Sequence, residues 1–477
     1  DDATTDDDDT VSDDDDTAPD DDDDSDAPVD GEDITCDEFS EEPTLWYVSA
    51  DDSNSQADGA HLRALLESNL YLPYYAPFRP YELFNYYSWD FPTPPAGQLG
   101  LDVQLRADAQ DPELFTLAVG VTSPAMSEVT RPDLNLTFTV DTSCSMGGPG
   151  IQNEQAALAA MASSLRAGDI VSVVEWSNSQ ALMIDSLAVT GPADSTLSTY
   201  INNLSAGGGT NLSGGLQAAY AQANANFDPE KLNRVVLISD GGANMGITDG
   251  QLIGANAEDA EDEGIYLVGI GTPPHGTYND ELMNDVTDLG KGAYIYIDEP
   301  GEAWHQLTGS RFLSNMALAA KDVRLEMTLP AGFAVETFYG EQISQDPTEV
   351  EPQHLGPNDS MLYVQTVRDC SADVESAAAV FEFTVTWQDL ATGADMSTGF
   401  SATRDELLAS SARELHKVSA ITAYLDAANG VYSLPASDRA AYMDGVWNEV
   451  NAVLSSFPTD PDLQEVLYLT GLLRNRF

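Results

Sequence analysis

Five oxygen-bearing side chains, in three separate stretches, are spaced to hold a hard divalent cation. The first stretch is Asp141-Thr142-Ser143-Cys144-Ser145-Met146-Gly147. As such a loop turns, its alternate residues Asp141, Ser143 and Ser145 can direct oxygens to one point. The second stretch, Gly207-Gly208-Gly209-Thr210-Asn211, supplies Thr210, and the third, Asp240-Gly241-Gly242, supplies Asp240. Every donor is a carboxylate or a hydroxyl, with no His or Cys in the set. That composition selects Mg²⁺, or Mn²⁺ or Ca²⁺, over zinc and copper. Two carboxylates only balance a divalent ion, and the hydroxyls add no charge. The ion would stay electrophilic at an open position, which an Asp or Glu carboxylate from a partner protein is suited to fill.

The surrounding elements must bring these stretches to one edge. Strand-like apolar runs are expected at Leu136–Val140, Ile170–Trp176, Val235–Ser239, Ile265–Ile270 and Ala293–Ile297, with helical stretches near 152–167, 213–227, 249–263 and 279–289. Strands apolar on both faces and separated by helices form a parallel sheet covered on both sides. This is a doubly wound, Rossmann-like α/β domain over residues 132–316. Its ligand loops lie at the carboxyl ends of the strands, where Asp141, Thr210 and Asp240 all fall.

Residues 41–131 and 317–403 are β-rich. Leu45–Val48, Phe115–Val121, Val323–Leu329 and Val380–Trp387 read as strands, the last two with period-two alternation. Pairing between these two regions would make the α/β domain an insertion in a β-sandwich-like domain. The aromatics and prolines of residues 71–95 read as a cap over a core. Residues 404–477 form a C-terminal helical segment, expected near 404–428, 437–455 and 461–475.

Charge narrows the partners. Among 477 residues there are 81 acidic and 18 basic side chains, a net charge of -63. Phosphate contacts need Lys and Arg, so a nucleic-acid binder is excluded. Residues 1–33 hold 18 Asp, one Glu and no basic residue, so the rest of the chain still carries most of the charge. The leader, residues 1–40, self-repels and reads as a disordered spacer. A spacer behind a removed signal segment suits an exported protein at the cell surface or in the periplasm, with a lipid anchor at the removed N-terminus. No apolar run reaches the roughly 18 residues of a membrane helix. Cys36, Cys144 and Cys370 contain no CxxC pair, so one disulfide at most forms and one thiol is left over.

Enzymatic readings are weaker. Ser143 has no His near it in sequence, and His61, His275, His305, His354 and His416 show no triad spacing. The Gly-rich stretch at 207–215 lacks the GK[ST] ending of a phosphate loop. A second DxSxS pattern, Asp51-Asp52-Ser53-Asn54-Ser55, has no matching later loops and reads as coincidence.

The pattern DxSxS, then Thr, then Asp resembles the metal-ion-dependent adhesion site of von Willebrand factor type A domains. The body from about residue 45 resembles the bacterial YfbK-like proteins, through stretches such as Tyr81–Tyr87, Asn233–Leu237, Gly269–Thr272 and Ala319–Val323. The resemblance implies a non-enzymatic, metal-dependent protein binder with Asp141, Ser143, Ser145, Thr210 and Asp240 as metal ligands. Metal-dependent self-assembly and an accessory role to an AAA-type ATPase are the alternatives it leaves. Two departures stand out. Cys144 replaces the Gly usual in the family, and Gly242 stands where many relatives place a second Asp.

Overall fold

The computed structural model describes residues 40–51, 55–73, 77–243, 264–273, 278–371 and 379–477. The acidic leader, Cys36, Ser53, His275 and the helix expected near 249–263 lie outside these residues. No helix among the described residues is long and apolar enough to cross a membrane.

Three sheets organise the chain. Two form the sandwich. One runs β12 (Gln342–Ser344), β1 (Thr44–Ser49), β10 (Ala320–Leu329), β15 (Val380–Gln388), β16 (Asp395–Thr403), with β13 (Gln353–Leu355) also on β10. The other runs β11 (Phe333–Phe338), β14 (Ser360–Asp369), β3 (Leu114–Thr122), β2 (Gly100–Ala107). Alternate residues of both sheets, among them Leu117, Val119, Leu325, Met327, Tyr363 and Phe383, share one apolar core. The two β-rich regions of the sequence interleave: β1 pairs antiparallel with β10, and β3 with β14.

The third sheet has the order β6-β5-β4-β7-β8-β9 and lies between β3 and β10 in the chain. Its strands are β4 (Leu134–Asp141), β5 (Ile170–Trp176), β6 (Gln180–Ala188), β7 (Leu232–Ser239), β8 (Ile265–Gly271) and β9 (Tyr294–Tyr296). All pairings are parallel except β5–β6. That antiparallel edge departs from the wholly parallel sheet expected. β6 follows β5 through a tight turn and is mostly exposed, so it lacks the two-sided apolar signature of a buried strand.

Helices cover both faces. On one, Pro149–Ser164 and Gly309–Met316 pack through Leu158, Met161, Phe312 and Leu313 against Phe138, Val236 and Ile270. On the other, Leu212–Ala225 and Asp280–Asp288 share their core with the helices Ala57–Glu67 and Pro80–Tyr86 and with the C-terminal helices. The α/β domain is thus completed by a helix from outside its own stretch of chain: Gln56 N–H donates to the Tyr294 carbonyl at 2.7 Å as Ala57–Glu67 begins.

The aromatic-rich stretch forms the helix Pro80–Tyr86, with Phe84, Tyr86 and Tyr87 buried. The C-terminal region breaks into Arg404–Leu408, Arg413–Gly430, Arg439–Ser456 and Pro461–Arg474. The first break, within a stretch expected as one helix, comes at Ala412, whose φ of 40° is left-handed.

Candidate metal centre

Sheet register brings the three stretches together. β4 and β7 are neighbours, Val140 facing Ile238, so both strands end at the same edge. Asp141 is the last residue of β4, and Asp240 follows the last residue of β7. The Thr210 loop is tied in by its backbone: Gly207 N–H donates to the Thr142 carbonyl at 2.7 Å, and Cys144 N–H to the Gly208 carbonyl at 3.1 Å. Asn211 then caps the helix Leu212–Ala225, its side chain accepting from Gly214 N–H at 3.1 Å.

Asp141, Ser143, Thr210 and Asp240 are buried, while Ser145 is exposed. Ser143 N–H donates to Asp141 Oδ1 at 2.9 Å, and the Ser143 and Ser145 hydroxyls lie 2.9 Å apart. Gly242 N–H donates to Asp240 Oδ1 at 3.0 Å. A Cβ placed on Gly242 would fall 2.9 Å from Asp240 Oδ1, 3.5 Å from Thr210 Cγ2 and 3.8 Å from Ser145 Oγ. Atoms of three of the five residues therefore border the space that Gly242 leaves open, Thr210 through its methyl group. Gly241 turns the chain there with φ +72°, and a Cβ on it would meet the Asn279 carbonyl at 2.4 Å.

Two further residues support the set. Ser239 Oγ donates to Asp141 Oδ2 at 2.7 Å and accepts from Gly241 N–H at 3.1 Å. Glu154, on the helix below, is fully buried; desolvation, reinforced by the charge of Asp141, pushes its carboxyl well above the usual range. Sequence reasoning missed both. Ser239 directly precedes Asp240, which was its one signal, and Glu154 lies in a helix with no pattern marking it.

Burial is also the main force on Asp141. It pushes the carboxyl up to about 7, against the hydrogen bonds from Ser143 and Ser239. No described Lys, Arg or His makes an ion pair with Asp141 or Asp240. The donor set is all oxygen, and no described cationic side chain balances its charge. These residues fit a hard divalent cation.

Other candidates resolve differently. Asp51, from the second DxSxS pattern, is buried and accepts from Ser55 N–H and from the Asn85 side chain at 2.8 Å. Asp58, His61 and Asp280 bring ligand atoms within 4.8 Å of one another. Arg79 already occupies that cluster, 2.7 Å from Asp280, 2.6 Å from Glu82 and 3.4 Å from Asp58, so it is an ion-pair centre. Cys144 is a free, exposed thiol whose sulfur accepts from Gly208 N–H at 3.2 Å, whereas Cys370 is disulfide-bonded.

Residues 136–243 match the family model of the von Willebrand factor type A domain. The chain is 27% identical over 315 residues to the uncharacterized protein YfbK of Escherichia coli, covering 63% of this chain and 52% of that one. It is 28% identical over 218 residues to inter-alpha-trypsin inhibitor heavy chain H1 of Sus scrofa, covering 44% of this chain and 24% of the other. The chain thus spans about half the length of the first relative and about a quarter of the second. Among solved structures, a von Willebrand factor type A protein from Catenulispora acidiphila aligns with a TM-score of 0.48 and 14% identity, over 77% of this chain and 88% of that one. Von Willebrand factor type A domains are generally non-enzymatic modules that bind protein partners and commonly hold divalent metals. The chain carries a von Willebrand factor type A domain within a longer, YfbK-like body.

Proposed function

We propose that this protein binds a partner protein through a divalent cation, Mg²⁺ or else Mn²⁺ or Ca²⁺, held by Asp141, Ser143, Ser145, Thr210 and Asp240. A cation there supplies a Lewis-acidic position for a carboxylate from the partner. Asp141 and Asp240 contribute the charge, and the three hydroxyls contribute oxygen without cancelling the ion's electrophilicity. Ser239 and the Ser143 amide fix the Asp141 carboxylate. Gly242 leaves the approach open.

The observation that carries this reading is the shared sheet edge at which β4 delivers Asp141 and β7 delivers Asp240, with the Ser143 and Ser145 hydroxyls 2.9 Å apart and the Thr210 loop tied by its backbone to Thr142 and Cys144. The exposed Ser145 and Cys144 put that edge at the surface, where a partner can reach it. The strongly acidic chain favours an exported protein that meets its partners through cations.

Calorimetric titration of Mg²⁺, Mn²⁺ and Ca²⁺ into the full chain tests the site beside Asp141→Ala. Diffuse binding to the acidic leader is common to both and cancels in the difference. One saturable site lost in the variant is expected; identical isotherms would overturn the reading. Partner capture is then compared with Mg²⁺ and with chelator.

A further inference from the structure

Arg234 lies near the start of β7, at the edge of the sheet away from Asp240, and is 3% exposed. Among the described residues its guanidinium makes one hydrogen bond, from Nη1 to the neighbouring Asn233 carbonyl at 2.8 Å. The guanidinium lies over the Tyr266 ring, 4.8 Å from its centroid. No described carboxylate forms an ion pair with it, although the chain has 81 acidic residues. A guanidinium stays charged at neutral pH, and a buried charge without a counter-charge is strongly unfavourable. Burial draws its pKa down to about 10, with only Tyr266 acting against that.

Lys321 Nζ sits 5.3 Å from the centroid of the same Tyr266 ring, and His354, whose Nδ1 accepts from Asp322 N–H at 3.5 Å, meets that ring edge-on at 5.2 Å. Lys291 stands at the rim and is paired with Glu351.

Arg234, Tyr266, Ser314, Leu318 and His354 border a cavity with about 20 Å³ open to the centre of a water-sized sphere. That is room for a water or a monatomic ion. Its walls are closely built: a Cβ on Gly356 would fall 2.2 Å from the Ser314 carbonyl oxygen. The cavity sits where the helix Gly309–Met316 leads into β10 and meets the residues after β13, so it spans the seam between α/β domain and sandwich.

We propose that this cavity is a site for a halide-sized monovalent anion, chloride being the common one, which neutralises Arg234 and pins the α/β domain to the sandwich. Water alone would fill the space but leave the charge unbalanced. The site is separate from the carboxylate edge and does not depend on the function proposed for it.

The test uses the full chain with chelator throughout, so the divalent site plays no part. Thermal unfolding is followed at constant ionic strength while chloride replaces gluconate. A saturable rise in Tm of about 1.5 °C at tenfold excess over Kd is expected. Arg234→Met should abolish the chloride response. Crystals of the unmodified chain grown in bromide should show an anomalous peak against the guanidinium, a readout that holds even if the variant fails to fold. Equal Tm in both salts, an unchanged chloride response in Arg234→Met, or a cavity without bromide would each overturn the proposal.

Discussion

Asp298 and Glu302 lie 2.7 Å and 2.9 Å from the guanidinium of Arg63, and Glu465 lies 2.9 Å from it on the other side. Asp141 and Asp240 are as deeply buried as the first two, yet no described Lys or Arg pairs with them. Their carboxylates are held by hydroxyls and amide N–H groups alone. The first cluster joins the helix Ala57–Glu67, the end of the α/β domain and the last helix, and each of its carboxylates has the Arg63 guanidinium as an ion-pair partner. The second is held by hydrogen bonds and has no ion-pair partner among the described residues. Burying a carboxylate is costly in both places, but only the second needs a cation from outside. The same contrast, with signs reversed, holds at Arg234.

The comparison breaks most severely at Arg63. Arg63→Met leaves Asp298 and Glu302 buried without a counter-charge and should destabilise the protein by about 3–5 kcal/mol in denaturant unfolding. A loss below about 1 kcal/mol would mean that the ion pairs are not what holds this seam.

Ser239→Ala removes the hydroxyl that orients Asp141 without touching a proposed ligand. It should weaken Mg²⁺ binding by roughly 10–100-fold, as supporting hydrogen bonds at metal sites do, with little change in Tm under chelator. Unchanged affinity would sever Ser239 from the site.

Asp141→Asn sharpens the contrast through a change of sign. With chelator it relieves an unbalanced buried charge and should raise stability by about 1–2 kcal/mol at neutral pH. With saturating Mg²⁺ it should lower stability, because the stabilisation from bound ion is lost. Destabilisation in both conditions would show that the carboxylate is structurally matched after all.

The mildest effect is expected at Glu302. Burial alone would raise its carboxyl, but the hydrogen bond with His305 and the charge of Arg63 outweigh it and hold the group at about 2. A depressed carboxyl contributes stability in full above its unfolded value near 4.5, and loses it as pH falls through about 2. Stability against acid should therefore decline less steeply between pH 4.5 and 2 in Glu302→Gln. Parallel profiles would place the acid sensitivity elsewhere.

Much of the architecture was legible because burial writes itself into composition. The strands β5, β7 and β8 carry apolar residues on both faces, β4 carries them on one face with buried Asn and Thr on the other, and alternation in β10 and β15 marks one-sided burial in the sandwich. The placement of Asp141, Thr210 and Asp240 at one sheet edge was legible because Asp141 and Asp240 close recognisable strands and Thr210 precedes a helix. What stayed hidden depends on distant pairs. Arg63 meets Asp298 across 235 positions and Glu465 across 402, and no local pattern encodes either contact. The helix Ala57–Glu67 reads as an ordinary amphipathic segment, although it completes the α/β core. The exposed β6 carries no burial signal to read.

The manner of insertion bears on how the molecule carries load. The chain enters the α/β domain from β3, in one sheet of the sandwich, and leaves it into β10, in the other. Tension applied at the Asp141 edge would therefore divide between two legs. Each leg is flanked on both sides, β3 by β14 and β2, β10 by β1 and β15. Pulled along its length, an interior strand loads both rows of hydrogen bonds together instead of unzipping one at a time. A tug on the binding edge thus meets a two-footed mooring, in which neither sheet can yield alone without the other taking up the strain.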